Sequence, residues 1–585
     1  MSTSSDLHGT LTIPEGIQSI PGSSRDELDA AVETVGARKG DWVAVDVNER
    51  IRILQQLIDD TLEEAERWAD AGTAAKGIDP DSNFAGEEWL YGPALVLRNL
   101  RLLQRALQDI AEHGRPQLPG QPHTRHDGQV VAPVFPTDVI DRLLFLGFTA
   151  EVWMQPDVTL EDLPDTQAVI YQPGHHHDGK VALVLGAGNV GVIPPTDVLY
   201  KLFAEDQVVV VKMNPVNDYL GPILEDAFDA LIDRGFLRIV YGGVDAGRYL
   251  TDHPGVDTVH ITGSDKAHDA IVFGTGDEGR RNKQQRTPQL DKPITSELGN
   301  ITPVIVVPGP WSEGDLAFHG DSIASMLVGN AGFNCVTARL IITHRRWGKR
   351  GALLDAIRDA LERTTLRYAY YPGARERFER FVEAHPEAET YGGDRSEGVP
   401  WTFIPGVAPS DEDDIVFTTE PFAGIFAETA LDAPRSIPDF LAEATELCND
   451  RLWGTLAATI IVHPRSLNDP AVADAVDRAV SDLRYGTVAI NHFTGVAFGM
   501  FSTPWGAYPG HELHDIQSGR GVVHNTYLFD QPQKSVVRGP FRVWPKPVWF
   551  ANHRNAEATL RELAHVFADP SLRRLPKLMW EAAQG

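Results

Sequence analysis

The chain's pattern of apolar and polar positions changes near residue 180. Before that point apolar residues recur at helical spacing. Ile51, Leu54, Leu57, Ile58, Leu62 and Ala65 share one face behind Asn48, a suitable cap. A second helical stretch covers 95–110 and ends before the Gly/Pro-rich run 114–122. From Lys180 onward, short apolar runs alternate with amphipathic stretches. Strands are expected at 181–185, 208–212, 237–240 and 258–262. A helix is expected at 223–232, where Ile223, Leu224, Ala227, Phe228, Leu231 and Ile232 line one face. This alternation specifies a largely parallel sheet under helices.

A second α/β stretch begins near Glu297, with strands at 304–307, 340–343, 458–462 and 487–490 and helices at 323–328 and 472–483. Two units of similar logic therefore meet near Gly299. Ligands of such folds sit at strand C-terminal ends and in the cleft between domains. The last fifty residues hold a strand-like stretch, 541–550, and a helix, 556–567. The apolar alternation in that strand suits either an inter-subunit sheet or a packed tail.

Composition narrows the picture. A chain of 585 residues exceeds one compact core, so two or three domains are expected. With 42% hydrophobic and 23% charged residues it is an ordinary globular protein, without a low-complexity tract or solenoid period. Lys plus Arg number 52 against 82 acids, a net charge of −30 that repels a phosphate backbone and argues against a nucleic-acid partner. Two cysteines, Cys335 and Cys448, cannot staple a chain of this size. The leader 1–30 carries Asp6, Glu15, Asp26 and Glu27 and no apolar core, unlike a secretory signal. The apolar runs are strand-sized, below the roughly 18 residues of a membrane helix. A cytoplasmic protein with no membrane partner is expected.

Candidate chemistry starts at Gly186, Gly188 and Gly191, which follow a strand as in a dinucleotide fingerprint. Two features argue against that reading. Ile193, Pro194 and Pro195 make a poor first helical turn, and about 20 residues on stands Lys212 rather than an acid. In the alternative, Asn189 projects its amide into a cleft, where an N–H suits an oxyanion, and Lys212 meets a cofactor's ribose or phosphate. The run from His175 to His177 is not read as a metal site, because adjacent histidines do not converge on one ion.

Seven landmarks then resemble, in order, those of the NAD(P)-dependent aldehyde dehydrogenase superfamily, from about Asn48 to Gly510. They are GAGN ending at Asn189; VVVVKMNP with Lys212; the stretch 242–264 with Gly263 and Ser264; ITSELGN with Glu297; NAGFNC with Cys335; TTEPFAGI with Glu420 and Phe422; and TPWGAYPG. The chain is similar to a divergent member. The resemblance implies an α/β fold with a Rossmann-like cofactor domain (1–150 and 173–296) and an α/β catalytic domain (297–520). It also implies a small oligomerisation β element (151–172 and 534–550), followed by a helical tail (551–585).

The resemblance further implies oxidation of a small-molecule aldehyde to an acid with NAD or NADP, by a homodimer or homotetramer. Cys335 would be the nucleophile, Glu297 the base for deacylation and Asn189 the oxyanion donor. Lys212, Gly263, Ser264, Glu420 and Phe422 would bind the cofactor, with no metal. Cys448, in a helical stretch without a motif, is expected to be inert. Three departures stand out. Pro215 replaces a glutamate that grips the adenosine ribose in many NAD-using members, which makes NADP as plausible as NAD. Asn189 lacks the preceding aromatic. The stretch 274–290, with Arg280, Arg281, Lys283 and Arg286, is unusually long and basic, either a solvated loop or a contact for an acidic group. The rival activities are transfer of the acyl group to coenzyme A, its reverse as an acyl-CoA or acyl-phosphate reductase, and a noncatalytic member. Trp153, Trp505 and Phe333 are candidates for an apolar substrate channel.

Overall fold

The computed structural model describes residues 7–393, 398–433 and 436–585. Asp6, counted among the acids of the leader, lies outside them. Val-rich runs build a six-stranded sheet ordered Gly519–Arg520, Ile294–Glu297, Thr258–Thr262, Lys180–Leu185, Gln207–Lys212 and Leu237–Val240. All neighbours are parallel except the Gly519–Arg520 edge. Helices cover both faces, so the central strands are buried on both sides and carry little alternation. The stretch from Ile193 is a helix after all, Ile193–Phe203. Its two prolines occupy the first turn, where no intrahelical N–H donor is needed.

Other expected elements shift for local reasons. The first long helix is Val47–Glu63, capped by Asp46 rather than Asn48: the Asp46 carboxylate accepts from Glu49 N at 2.9 Å. The stretch 223–232 is broken at Phe228 into Gly221–Ala227 and Asp229–Ile232. The helix Glu313–Val328 is far longer than 323–328, because a Ser312–Asp315 capping box starts it in a polar stretch without apolar periodicity.

The larger sheet has eleven strands. Its order is Glu389–Tyr391, Trp401–Val407, Ile425–Leu431, Ala338–His344, Thr302–Val306, Ala457–Ile461, Thr487–Ile490, Pro532–Arg538, Thr149–Met154, Val130–Phe135 and His123–Thr124. It is parallel from Trp401–Val407 through Pro532–Arg538 and antiparallel beyond. The Pro532–Arg538 strand thus joins Thr149–Met154 to the catalytic strand Thr487–Ile490 within one chain. Lys534 anchors this junction. Its buried ammonium donates to the carbonyls of Val480, Ser481 and Leu483 at 3.0, 2.8 and 2.6 Å, closing the C-terminal end of the helix Pro470–Asp482. The stretch 541–550 is not a strand. Pro545 and Pro547 cannot donate to a ladder, and Phe541 instead packs on Trp311, His319 and His463. The helix Ala556–Ala568 follows as expected. Among the described residues no helix is long and apolar enough to cross a membrane.

Candidate active site

Glu297 ends its strand between register partners Thr262 and Gly519. Its carbonyl accepts from Gly263 N at 3.0 Å, which fastens the Thr-Gly-Ser turn to the same strand end. Cys335 arrives from the other sheet. After the helix Glu313–Val328, Asn330, Ala331 and Gly332 turn the chain through left-handed backbone, with φ of 50°, 55° and 81°. A Cβ at Gly332 would lie 2.6 Å from Gly424 N, so only glycine lets this turn press against its neighbour. The turn brings Cys335 Sγ to 3.4 Å from Glu297 Oε1, with the thiol donating.

The electrostatics of this pair follow from burial. Glu297 is 3% exposed. Burial lifts its carboxyl to about 7, Asp197 adds to the rise, and the Trp505 indole and Cys335 thiol pull the other way. Neither Glu297 Oε2 nor Trp505 Nε1 completes a hydrogen bond, so one oxygen of a buried carboxylate stays open. Burial, then the charges of Glu297 and Glu420, push the Cys335 thiol well above its usual range. The resting pair is a neutral thiol leaning on a carboxylate poised near neutrality.

Asn189 sits just beyond the Lys180–Leu185 strand. Its Nδ2 donates to Phe333 O at 2.9 Å, which leaves one amide N–H uncommitted, and its main-chain carbonyl accepts from Asn330 Nδ2 and Tyr370 Oη at 3.0 and 2.8 Å. Behind this loop Lys76 Nζ reaches Glu88 Oε1 at 2.8 Å and Asn330 Oδ1 at 3.1 Å, both ends of the ion pair being buried. Asn330 N donates to Glu87 Oε2, which also pairs with Arg367. The N-terminal helices therefore brace the cysteine turn. Sequence reasoning missed every one of these braces.

Glu420 is 1% exposed and neither of its oxygens completes a hydrogen bond, although the Asn300 main-chain N–H lies close enough to draw on the carboxylate. Burial lifts it to about 8, against the pull of Arg339. A Cβ at Gly299 would sit 1.9 Å from Glu420 Oε2, so the glycine opens the space for that carboxylate. Two further arginines missed in the sequence hold this loop. Arg339 donates to the carbonyls of Ala423, Ile425, Gly332 and Asn334. Arg377 donates to those of Pro421 and Phe422, both at 3.0 Å. Phe422 joins an aromatic wall, its ring centroid 5.0 Å from Tyr371 and 6.1 Å from Phe333.

Lys212 Nζ donates to Gly242 O at 3.0 Å; burial lowers the ammonium to about 8, with Glu15 pulling it back. Ser264 caps the helix Asp265–Phe273, accepting from Ala267 N at 3.1 Å. A Cβ at exposed Gly263 would meet only Ile261, at 3.6 Å, so nothing within the chain itself requires glycine there. Trp153 does not join the site: it lies in the eleven-stranded sheet beneath Arg125, whose guanidinium is 3.9 Å from its ring. The basic stretch is a helix, Gly276–Gln285, rather than a loop, and Arg280, Lys283 and Arg286 face Asp277, Asp269 and Glu512. His177 pairs with Asp206 at 3.0 Å, and among the described residues no group of three or more His, Cys, Asp or Glu is gathered for a metal. Cys448 is buried in the core within the helix Ile437–Asp450.

These features define a class: an α/β protein in which a thiol from one sheet meets a buried carboxylate at the strand ends of another. The aldehyde dehydrogenase family model matches residues 203–506, just over half of the chain. The chain belongs to the aldehyde dehydrogenase family. It is 25% identical to Aldehyde dehydrogenase LUC3 of Fusarium sp over 189 residues, 32% of this chain and 35% of that protein. It is 25% identical to Betaine aldehyde dehydrogenase 1 of Oryza sativa subsp. japonica over 328 residues, 53% of this chain and 55% of that one. The chain thus spans between about a third and just over half of these relatives' lengths. The fold resembles aldehyde dehydrogenase 21 from Physcomitrella patens, in complex with the reaction product succinate. The TM-score is 0.59 at 14% identity, covering 88% of this chain and 91% of that one.

Proposed function

We propose that the chain oxidises an aldehyde to a carboxylic acid, using NAD⁺ or NADP⁺, through a covalent intermediate on Cys335. The observation that carries this reading is the 3.4 Å contact between Cys335 Sγ and a Glu297 carboxylate lifted to about 7. A carboxylate with that affinity takes a proton near neutral pH and gives it up again. Family membership supplies the reaction class. Glu420 supports a dinucleotide: a buried carboxyl group whose oxygens complete no hydrogen bond within the chain suits the hydroxyls of a ribose. Lys212 and the helix start at Ser264 would hold its other half.

In this reading Glu297 accepts the Cys335 proton as the thiolate adds to the aldehyde carbon. The free N–H of Asn189 and the Cys335 main-chain N–H receive the oxyanion. A bound nicotinamide would supply the hydride acceptor, and loss of the hydride would leave the acyl group on Cys335 as a thioester. Glu297 passes the thiol's proton to solvent and, ionised again, takes one from water through its open Oε2 as the hydroxide adds to the acyl carbon. Collapse of that adduct releases the acid and restores the thiol. The aromatic wall of Phe333, Tyr371 and Phe422 keeps bulk water from the acyl group.

The test is a panel of aldehydes with NAD⁺ or NADP⁺, with and without coenzyme A, scored for reduced cofactor and carbonyl product. Free acid without coenzyme A, abolished in Cys335→Ala, is expected. A thioester formed only with coenzyme A would overturn the hydrolytic step and the role given to Glu297.

A further inference from the structure

The N-terminal segment runs along the cleft and touches each of the three places assigned above to the dinucleotide. At the Glu420 end, Gly9 and Thr10 pair in parallel with Thr419 and Glu420, and Thr419 Oγ1 donates to Leu7 O. A Cβ at Gly299, the residue that makes room for Glu420, would also meet Thr10 Cγ2 at 2.9 Å. In the middle, Thr10 N donates to Asp265 Oδ1 at 3.0 Å, in the first turn of the helix that Ser264 caps, and the Thr10 hydroxyl donates to the same oxygen. Gly9 has φ of 89°, and a Cβ on it would fall 2.2 Å from Asp265 Oδ2. At the Lys212 end, Glu15 Oε1 accepts from Val244 N at 2.8 Å, the first N–H of the helix Val244–Asp252. The Gln18 amide oxygen accepts from Gly242 N and Gly243 N at 3.3 and 3.1 Å. Gly242 is also the residue whose carbonyl holds Lys212.

We infer that residues 8–18 are a strap that occupies the cofactor groove and must leave it before a dinucleotide enters. The inference rests on the dehydrogenase reading and goes beyond it. Glu15 places a carboxylate on a helix start, a place suited to an anionic ligand, and its charge lies close enough to steady Lys212. Thr10 and the Thr419–Glu420 strand close over the carboxylate meant for a ribose, which leaves Glu420 1% exposed. The strap can detach because little of it is core. Thr10 and Leu11 are buried, whereas Thr12, Pro14, Glu15, Ile17 and Gln18 are exposed. A segment held by polar contacts with one buried apolar side chain opens at low cost. Its anchorage at the far end, Ser19 and Ile20 on Asp218 and Ser23 on Tyr241, keeps it tethered beside the groove.

The full chain and a Thr10→Ala/Glu15→Ala variant would be titrated with NADH and NADPH by fluorescence, and hydrogen exchange of residues 8–18 followed with and without saturating cofactor. Expected are affinity at least tenfold tighter in the variant and faster exchange of the strap in the full chain once cofactor binds. Equal or weaker affinity in the variant, or slower exchange on binding, would overturn the strap while the dehydrogenase reading stands. Failure of both proteins to bind either cofactor would sink the two together. A chain lacking residues 1–18 repeats the titration and should match the variant.

Discussion

Replacing Glu297 by Gln separates catalysis from stability at one position. The carboxyl moves from 4.5 to about 7 on folding, which corresponds to roughly 3 kcal/mol between its two protonation states. Because the folded value is raised, the folded state holds the extra proton between these pH values. The group's contribution is fully present below 4.5 and lost as pH rises through 7, after which the buried charge costs about 3 kcal/mol. Gln keeps the shape without the charge. The variant should therefore be more stable than the parent by up to about 3 kcal/mol at pH 8 and almost equal at pH 4. Catalysis should move the other way. A base of this strength is about 1% ionised at pH 5, so hydrolysis of the acyl-enzyme should rise about tenfold per unit there and level off near pH 8. Removing it should slow that step by about 10²–10⁴ and flatten the profile. Urea unfolding at pH 4 and 8, with single-turnover hydrolysis of an activated ester from pH 5 to 9, reads both effects. A Gln variant less stable than the parent at pH 8, or an inflection near 4.5, would refute the reasoning.

Asp197→Asn removes a charge that helps lift Glu297, so the acid limb of the same profile should move below 7; a limb that stays put would show that burial acts alone. Asn189→Ala should slow turnover by about 10²–10³ with cofactor affinity unchanged, as judged from steady-state rates beside a binding titration. Lys76→Met leaves Glu88 buried without its partner and should cost about 3–5 kcal/mol in urea unfolding. A loss under about 1 kcal/mol would mean that Glu88 takes up a proton or finds water.

The sequence makes legible what depends on short-range order. The strands Leu237–Val240, Thr258–Thr262 and Thr487–Ile490 fall where compact apolar runs place them. The pairing of Cys335 with Glu297 is visible only through the family resemblance, because the two lie 38 residues apart, one in a turn before a strand of the larger sheet and one at a strand end of the smaller, and no period links them. Polar braces leave no pattern at all. Lys76 meets Asn330 across 254 positions and Thr10 meets Asp265 across 255. Each looks like a surface residue until its partner is known. The error at 541–550 is different: Phe541 with Val543 and Val548 with Phe550 each show the two-residue apolar spacing of a strand, and Pro545 and Pro547 between the pairs override it.

The continuous eleven-stranded sheet also sets a timetable for synthesis. The Thr149–Met154 strand emerges from the ribosome early, but the Pro532–Arg538 strand that joins it to the catalytic strands is made about 380 residues later. At about 5–20 residues per second, that interval lasts roughly 20–80 seconds. Throughout it the hairpin presents Val152 and Trp153 beside an unpaired edge, the kind of surface that recruits other nascent chains. Translation speed between these strands, and the holdase capacity of the host, should therefore govern the soluble yield of this protein more than the stability of the finished fold.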